Sequence, residues 1–314
     1  MAYSLKEINE AVRSDPKGFV EECDAAYNKK IEKAARQIAE NRSKSRIVLL
    51  SGPSGSGKTT TAKKIEDKLE EIGIHSHAIA MDNYFQTVDP ETSPRNREGQ
   101  IDYESPFCLD MDLLNRHFAA LDRGEKIHIP KFEFARQMRS AIKSHPLQLG
   151  NDEIAIFEGI HALNDIITGK NPAAMKLYIS ARSNILDEDG NTVFKGTWMR
   201  LARRTVRDAK FRAWEPDVTI KMWANVRRGE KLYISPFKDN ADIQFDSSLP
   251  YEVSVVKNYA QPLFEKLHIT PDMERYEEVG HLVKAYPQLE TLDEKYVAPD
   301  SLIREFIGGG IYDD

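Results

Sequence analysis

The chain has 314 residues, of which 40% are hydrophobic and 30% charged, so it can bury a full core in one large domain or two smaller ones. Its net charge of −6, from 44 basic and 50 acidic residues, argues against a general nucleic-acid binder, which is usually basic. Two distant cysteines, Cys23 and Cys108, make neither a disulfide framework nor a zinc motif, which suits a reducing cytoplasm. No apolar run has the length of a membrane span, and the N-terminus has no apolar signal segment, so we expect neither membrane insertion nor secretion.

Residues 1–42 are strongly charged and carry the pattern of an amphipathic helix, with a break at Asp15-Pro16. We therefore predict a helical arm that packs on the core or on a second subunit. In a homo-oligomer, its apolar stripe would be the candidate contact. The stripe consists of Ile8, Val12, Phe19, Tyr27, Ile31, Ala34 and Ile38.

The most informative stretch is residues 47–61, which read IVLLSGPSGSGKTTT and match the phosphate-loop pattern G-x-x-x-x-G-K-[ST]. An apolar run that predicts a buried strand precedes the glycine-rich turn, and a predicted helix over residues 60–72 follows it. Glycines let successive N–H groups point inward at phosphate oxygens, and the helix N-terminus adds unpaired N–H groups and a positive dipole end. The residues predicted to bind a nucleotide's phosphates are Gly52, Pro53, Ser54, Gly55, Ser56, Gly57, Lys58, Thr59 and Thr60.

Two side chains in this loop have specific predicted roles. Lys58 can reach the β- and γ-phosphates, and the Thr59 hydroxyl can ligate Mg²⁺. The alternative is a glycine-rich turn with a lone surface lysine, and the flanking strand and helix argue against it.

Acidic residues follow two further predicted strands, at residues 75–81 and 154–157. In a parallel sheet, strand C-terminal ends gather on the side of the phosphate loop. Asp82 is therefore placed to face the γ-phosphate, where it could accept the proton of an acceptor hydroxyl. Glu158 is placed to orient Mg²⁺ directly or through water. The alternatives are a capping or turn aspartate and an exposed strand-end glutamate.

The most basic stretch is residues 200–212, RLARRTVRDAKFR, in which Arg200, Arg203 or Arg204, and Arg207 share a helix face. Arginine forks bind phosphate bidentately, so such a helix could close over ATP as a lid, at about residues 197–216. A solvated helix face and an RNA-binding patch are the alternatives.

The rest of the chain adds a long polar loop at 86–108, helices at 110–121 and 253–267, and strands at 127–134, 175–180 and 241–245. Pro130 implies an edge strand or a bulge. Residues 182–197 are predicted to be an excursion from the core, and the glycines at 308–310 to form a flexible tail. We predict an α/β P-loop fold with a doubly wound, mostly parallel sheet. It divides into the arm (1–42), a kinase core with its lid (43–268) and a C-terminal helical and loop extension (269–314).

Six motifs in this order resemble the uridine kinase and phosphoribulokinase family of P-loop kinases: GPSGSGKTT, MDNYF, DYESPF, IPKFEF, IFEGIHAL and RLARRTVRD. The resemblance implies that Asp82 is the catalytic base toward a sugar 5′-hydroxyl and that Glu104 holds ribose hydroxyls. It implies that Arg204, Arg207 and Arg212 meet phosphates and substrate, alongside the catalytic Lys58. The predicted acceptor contacts are Tyr84, Glu104, Phe132, Gln137, Arg139, Glu158 and Arg204.

The chain departs from the usual uridine-kinase pattern around the acceptor. Glu104 stands in a Y-E-S-P motif where those kinases place Asp in F-D-H-P. Phe132 and Gln137 stand where a Tyr and a His are usual, and Trp214 stands where a further lid arginine is expected. A pocket that loses or exchanges hydrogen-bonding groups changes its discrimination, so these differences predict a divergent branch of uridine-kinase-like proteins.

The predicted activity is transfer of the γ-phosphoryl group of Mg-ATP to a ribonucleoside 5′-hydroxyl, with uridine or cytidine first. One alternative is a kinase for another hydroxyl acceptor such as a sugar phosphate, which Arg136, Arg139 and Lys143 could favour. The other is a non-catalytic regulator that binds nucleoside triphosphate or associates with RNA.

Overall fold

The computed structural model describes residues 2–267 and 276–312. Its strands are β1 (Ala2–Ser4), β2 (Ile47–Ser51), β3 (Ser76–Ala80), β4 (Ile127–Glu133), β5 (Met138–Leu147), β6 (Ile154–Glu158), β7 (Met175–Ser180), β8 (Asn184–Leu186), β9 (Thr192–Phe194) and β10 (Ile243–Asp246). Its helices are α1 (Leu5–Ser14), α2 (Pro16–Asn41), α3 (Lys58–Glu71), α4 (Met111–Asp122), α5 (Asp165–Thr168), α6 (Gly196–Arg212), α7 (Pro216–Gly229), α8 (Glu252–Glu265), α9 (Tyr276–Ala285) and α10 (Arg304–Ile307).

The centre of the fold is a five-stranded parallel sheet in the order β10-β7-β2-β6-β3. All five residues of β2 are buried, as expected for a strand covered by helices on both faces. The predicted α/β doubly wound fold is therefore confirmed. Within residues 2–267 and 276–312, no helix has both the length and the apolar character needed to cross a membrane.

The strand register brings the two acidic strand ends to the phosphate loop. Glu158 lies opposite Leu50 of β2 on one side and opposite Ala80 of β3 on the other. Asp82 follows two residues after Ala80, in the short 3₁₀ turn Met81–Tyr84. The C-terminal edge of the sheet thus gathers the loop after β2 and both carboxylates, as the sequence predicts.

The N-terminal arm is part of the main core. Helix α1 ends at Ser14 and α2 begins at Pro16, because Asp15 caps α2 by accepting from the Gly18 N–H, 2.9 Å away. The inner face of α2 packs on α3 in the same cluster as strand β2. Packing on the core is therefore confirmed. Every residue of the stripe except Phe19 is buried within the protomer, and the use of the stripe in an oligomer contact stays a prediction. The domain boundaries at 42/43 and 268/269 stay a prediction, and the second falls partly outside the described residues.

The excursion at 182–197 completes a small sheet with the N-terminus. Strand β8 pairs in parallel with β1 and antiparallel with β9. Contact between the arm and the excursion could not be read from either segment alone, because each strand is three residues long.

Strands β4 and β5 form a hairpin beside the site, joined through Phe134–Arg136. The register shifts between Pro130 and Phe132, which confirms the irregularity expected from a proline without an N–H donor. Gln137 ends the turn in a left-handed conformation with φ 50°.

The C-terminal extension returns to the phosphate loop. The predicted flexible tail at residues 308–310 is wrong: Gly308 is buried and its N–H donates to the Arg304 carbonyl at 2.7 Å, and just beyond it the Lys63 ammonium donates to the Tyr312 carbonyl at 2.9 Å. Residues 268–275 and 313–314 of the predicted helical and loop extension lie outside the described residues.

Candidate active site

The phosphate loop has the backbone that its sequence predicts. Gly57 precedes α3 in a left-handed conformation with φ 81°, and α3 begins at Lys58. A Cβ on Gly52 would lie 2.0 Å from the Ile179 carbonyl oxygen, so only glycine fits there. The Ser247 hydroxyl donates to the Ser56 carbonyl at 2.6 Å, which anchors the loop to the end of β10. The result is a fixed turn at the N-terminus of a long helix, the arrangement that binds phosphate.

The four residues predicted to carry the chemistry lie together at the mouth of this loop. The Thr59 hydroxyl lies 3.5 Å from the Glu158 carboxylate. Lys58 lies close enough to Asp82 and Glu158 to favour the charged forms of both. The cluster therefore combines a cation for phosphate, a hydroxyl and a carboxylate for a metal, and a second carboxylate toward the acceptor.

Burial raises the pKa of all three carboxyl groups around the site. For Glu158 and for Glu104 the pKa rises to about 7, and in both groups a nearby cation opposes the rise, Lys58 for Glu158 and Arg204 for Glu104. The pKa of Asp82 is also raised by the surrounding protein, against the effect of Lys58 and Arg212. The Asp82 side chain is nevertheless exposed, so it is accessible to a small molecule.

These shifts predict a pH dependence of the free enzyme. Because the ordinary pKa of Glu158 is near 4.5 and its folded value is about 7, it gains its charge only as pH rises through 7. We expect kcat/KM for Mg-ATP to rise about tenfold per pH unit below 7 and to level off above it. A pH–rate profile of the wild type checks this.

Two glutamine variants test whether Glu158 causes the rise of kcat/KM below pH 7, which is the acid limb of the profile. Glu158→Gln should lower the plateau and remove the limb, whereas Glu104→Gln should act on the acceptor KM and leave the Mg-ATP limb in place. A wild-type profile that is flat between about pH 5.5 and 8 would contradict the assignment.

The arginine-rich stretch is confirmed as a helix, but the solvated-face alternative is wrong because most of α6 is buried. Arg200 binds the Glu230 carboxylate at 2.8 Å, and Arg203 donates to the Glu252 carboxylate at 2.9 Å. Their guanidinium groups also donate to the Ser54 and Gly55 carbonyl oxygens, at 3.2 and 3.1 Å. Arg200 and Arg203 therefore brace the phosphate loop from behind.

The three arginines that the resemblance assigns to phosphates share one buried acid. Arg204, Arg207 and Arg212 all contact the Asp208 carboxylate, at 3.1 to 3.3 Å. Arg204 also donates to the Ser54 hydroxyl at 2.9 Å, and Arg212 is the one that approaches Asp82. Asp208 gathers three cations, of which Arg204 contacts the loop, and their closing motion stays a prediction.

A cavity of about 850 Å³ lies next to the site, between the segment that begins at Phe85 and the end of α6. Neither Asp82 nor Glu104 is among its lining residues. Its walls come from the loop at 86–108, the β4–β5 hairpin and the end of α6. The aromatic residues that line it are Phe85, Tyr103, Phe107, Phe132, Phe134 and Trp214. Gln137 also lines it, and its amide oxygen lies 3.5 Å from the Tyr103 hydroxyl. Arg212 is the only cation among the described lining residues.

Two predicted acceptor contacts are wrong. Tyr84 is completely buried, and its hydroxyl hydrogen-bonds His117 Nδ1 at 2.8 Å. The Arg139 guanidinium binds the Asp110 carboxylate at 3.0 Å and the Tyr84 carbonyl at 3.0 Å, so it fastens the hairpin to the turn after β3. Both residues support the site without facing the cavity.

Sequence reasoning missed a second layer behind Glu104. Buried Asp102 accepts from the Arg228 guanidinium at 2.5 Å and from the Tyr233 hydroxyl at 3.2 Å. This fixes the polar loop against α7. DYESPF identified the loop, but nothing in the sequence pairs Asp102 with residues more than a hundred positions later.

The donor set fits Mg²⁺. No group of three His, Cys, Asp or Glu side chains in the described parts of the chain could hold a metal ion. Mg²⁺ commonly takes one or two protein groups and completes its shell with water and substrate phosphates, which the Thr59 hydroxyl and Glu158 carboxylate match.

The fold and the site together define a P-loop kinase, an enzyme that transfers a phosphoryl group to an alcohol. The chain belongs to the Phosphoribulokinase / Uridine kinase family, whose sequence model matches residues 47–254. It is 29% identical over 198 residues to a uridine kinase of Staphylococcus aureus (strain JH9), covering 63% of this chain and 85% of that one. It is 27% identical over 195 residues to a uridine kinase of Halobacterium salinarum, covering 62% and 76%.

Among solved structures, the fold is similar to a chain named a fructose transport system kinase from Silicibacter sp. TM1040. The TM-score is 0.50 at 19% identity, over 68% of this chain and 98% of that one. At this identity the likeness confirms the fold alone. The family is therefore established, and the acceptor is a separate question.

Proposed function

We propose that the chain transfers the γ-phosphoryl group of ATP to the 5′-hydroxyl of a ribonucleoside, with uridine and cytidine as the first acceptors to test. The observation that carries the proposal is the ring-walled cavity next to the site. Flat aromatic walls suit a nucleobase, because base–aromatic stacking is favourable and every base has a π-face. The named uridine kinases among its relatives support the same choice.

The proposed contacts follow from what each side chain can do. Phe132 and Phe134 are neighbouring rings of the cavity wall, 5.1 Å apart between centroids, and Phe134, the exposed ring of the two, stacks on the base with Phe132 behind it. The Gln137 amide has both a donor and an acceptor, so it can pair with the edge of uracil or cytosine. The Glu104 carboxylate accepts from the ribose hydroxyls, which places the 5′-hydroxyl toward Asp82.

In the proposed reaction, the acceptor hydroxyl gives its proton to the Asp82 carboxylate. The oxygen of the acceptor hydroxyl forms a bond to the γ-phosphorus. At the same time the bond between the γ-phosphorus and the β–γ bridging oxygen breaks, and ADP leaves. Lys58, Arg204, Arg207 and Arg212 neutralise charge on the transferred group. Thr59 and Glu158 would hold Mg²⁺, which offsets the charge of the phosphates when bound.

A sugar-phosphate acceptor has less support in the described side chains. Arg136 pairs with Glu133 at 3.0 Å on the surface, and Arg139 is bound to Asp110. Neither lines the cavity. An anionic acceptor would therefore depend on Arg212, which already contacts Asp208.

An ADP-release assay with Mg-ATP across nucleosides, neutral sugars and sugar phosphates tests the proposal. We expect release with uridine or cytidine and little with phosphorylated sugars. Release with a sugar phosphate alone would replace the nucleoside by that acceptor class. ATP binding without release for any acceptor would favour the non-catalytic regulator.

A matched pair of variants locates the acceptor. Phe134 is 59% exposed in the cavity wall, so Phe134→Ala should raise the nucleoside KM about 5- to 100-fold, the loss expected for one stacked ring. Ile142→Ala is the control, because Ile142 is 90% exposed on the same hairpin and does not line the cavity. Equal KM values in the two variants would place the acceptor elsewhere.

A further inference from the structure

The phosphate loop already has an anion bound to it, and that anion is part of the chain. Glu305 lies in the C-terminal segment, which we define as residues 299–312. Its carboxylate accepts from the Thr60 N–H at 3.2 Å and from the Thr60 hydroxyl at 2.7 Å. Thr60 lies in the first turn of α3, where N–H groups have no partner in the helix and attract negative charge.

The position of this carboxylate corresponds to one end of a bound nucleotide. Lys58, Asp82 and Glu158 mark the end of the loop that faces the outermost phosphate. The amides on the far side, toward Thr60, face the α-phosphate, and the base continues beyond it. Glu305 therefore occupies a donor that the inner part of a triphosphate would use.

The next residue in the segment contacts the arginine that braces the loop. The Phe306 ring is completely buried and lies under the Arg203 guanidinium, 5.2 Å from the ring centroid. Arg203 also donates to the Gly55 carbonyl of the phosphate loop at 3.1 Å, so the ring is held against the loop's own support. The segment thus places a carboxylate on a donor of the loop and a buried ring on the arginine that braces the loop from behind.

The segment is fastened to the two helices that flank the nucleotide site. Leu302 packs on Gly57 so closely that a Cβ there would lie 2.2 Å from its side chain. Lys64 of α3 binds the Asp300 carboxylate at 2.5 Å, and Lys210 of α6 donates to the Ile307 carbonyl. Leu302, Ile303 and Ile307 of the segment also belong to the main core, so its displacement works against core packing and requires the interaction energy of the nucleotide.

We propose that the C-terminal segment is an intramolecular nucleotide mimic, which occupies the inner end of the phosphate loop and must be displaced before ATP binds. The proposal rests on the proposed function, because it requires that ATP uses this loop. The Glu305 carboxylate and a phosphate of ATP cannot both accept from the Thr60 N–H, and their negative charges repel each other. ATP binding and release of the Glu305 contact are therefore coupled.

The test compares charge-neutral variants in the full chain. Glu305→Gln keeps the shape of the side chain and removes the anion. Glu290→Gln is the control, because it makes the same charge change elsewhere in the C-terminal extension. The Glu290 carboxylate pairs with the Arg13 guanidinium at 3.2 Å and not with the phosphate loop. Binding of Mg²⁺ with β,γ-imido-ATP is measured by titration calorimetry.

We expect Glu305→Gln to bind the analogue about 10- to 100-fold more tightly than the wild type, the range for loss of a charged hydrogen bond. Glu290→Gln should match the wild type. Equal binding by Glu305→Gln would overturn the mimic, and weaker binding would overturn it and make Glu305 part of the nucleotide site. No binding by any of the three proteins would instead overturn the proposed function.

Hydrogen exchange gives a second measurement that does not depend on the variants. The amides of Ile307, Gly308 and Ile311 are bonded to Ile303, Arg304 and Pro299 while the segment is in place. Saturating Mg²⁺ and β,γ-imido-ATP should speed their exchange in the wild type. Unchanged or slower exchange upon binding would overturn displacement.

Discussion

Replacing Asp82 with asparagine should lower kcat about 10²- to 10⁴-fold and leave ATP affinity nearly unchanged. Asparagine fills the same space and cannot accept the acceptor's proton, so it removes the base and little else. The structure supports this separation because Asp82 is exposed and lies two residues beyond the end of β3, while the loop amides that would hold ATP belong to another element. Steady-state kinetics with saturating acceptor, together with calorimetric ATP binding, measures both quantities.

The matched control for this variant is Asp112→Asn, which removes an exposed carboxylate in the first turn of α4. It should leave kcat within about twofold of the wild type, since surface substitutions away from special features have small effects. Unchanged turnover in Asp82→Asn would remove Asp82 from the mechanism. A loss of ATP binding in the same variant would assign it to the phosphates instead.

Replacing Arg203 with methionine should reduce the free energy of unfolding by about 3 to 5 kcal/mol, because it leaves the Glu252 carboxylate buried without its partner. The Arg203 side chain has no exposed surface and that of Glu252 only 3%. The variant also removes the donor to the Gly55 carbonyl and the cation stacked on Phe306. Equilibrium denaturation in urea, monitored by circular dichroism, measures the difference.

An exposed ion pair of the same type is the control. Arg13 and Glu290 have side chains that are 59% and 41% exposed, so Arg13→Met should cost about 0 to 1 kcal/mol. The double variant Arg203→Met/Glu252→Leu should recover part of the loss, since an apolar pair can replace a buried ion pair. Unfolding of Arg203→Met at the same urea concentration as Arg13→Met would show that the buried pair does not brace the loop.

The arginines of α6 show why one sequence pattern can serve two purposes. Arg200 and Arg203 face Glu230 and Glu252 on the inner side, whereas Arg204, Arg207 and Arg212 converge on Asp208. The first pair stabilises the loop from behind, and in the second group Arg204 contacts the Ser54 hydroxyl of the loop. A helix that is partly fixed in the core can still present cations to a ligand at its exposed end.

The sequence alone was sufficient for the centre of the fold and for the acidic strand ends. Strand β2, the glycine-rich turn and helix α3 together span only 25 residues, from Ile47 to Glu71. Their geometry therefore depends on local backbone rules. Asp82 and Glu158 could be placed because parallel strands gather their C-terminal ends at one edge. Phe132 and Gln137 came from the resemblance, and the structure places both in the cavity wall.

The tertiary structure decided which of the remaining polar residues face a ligand and which face the protein. Tyr84 and Arg139 looked available for the acceptor, but His117 and Asp110 take up their polar groups. Glu305 carried no signal in the sequence, although it lies on the phosphate loop from 245 positions away. The physical reason is the same in each case: periodicity reports which face of an element is apolar, whereas the partner of a charged or polar group depends on contacts between distant parts of the chain.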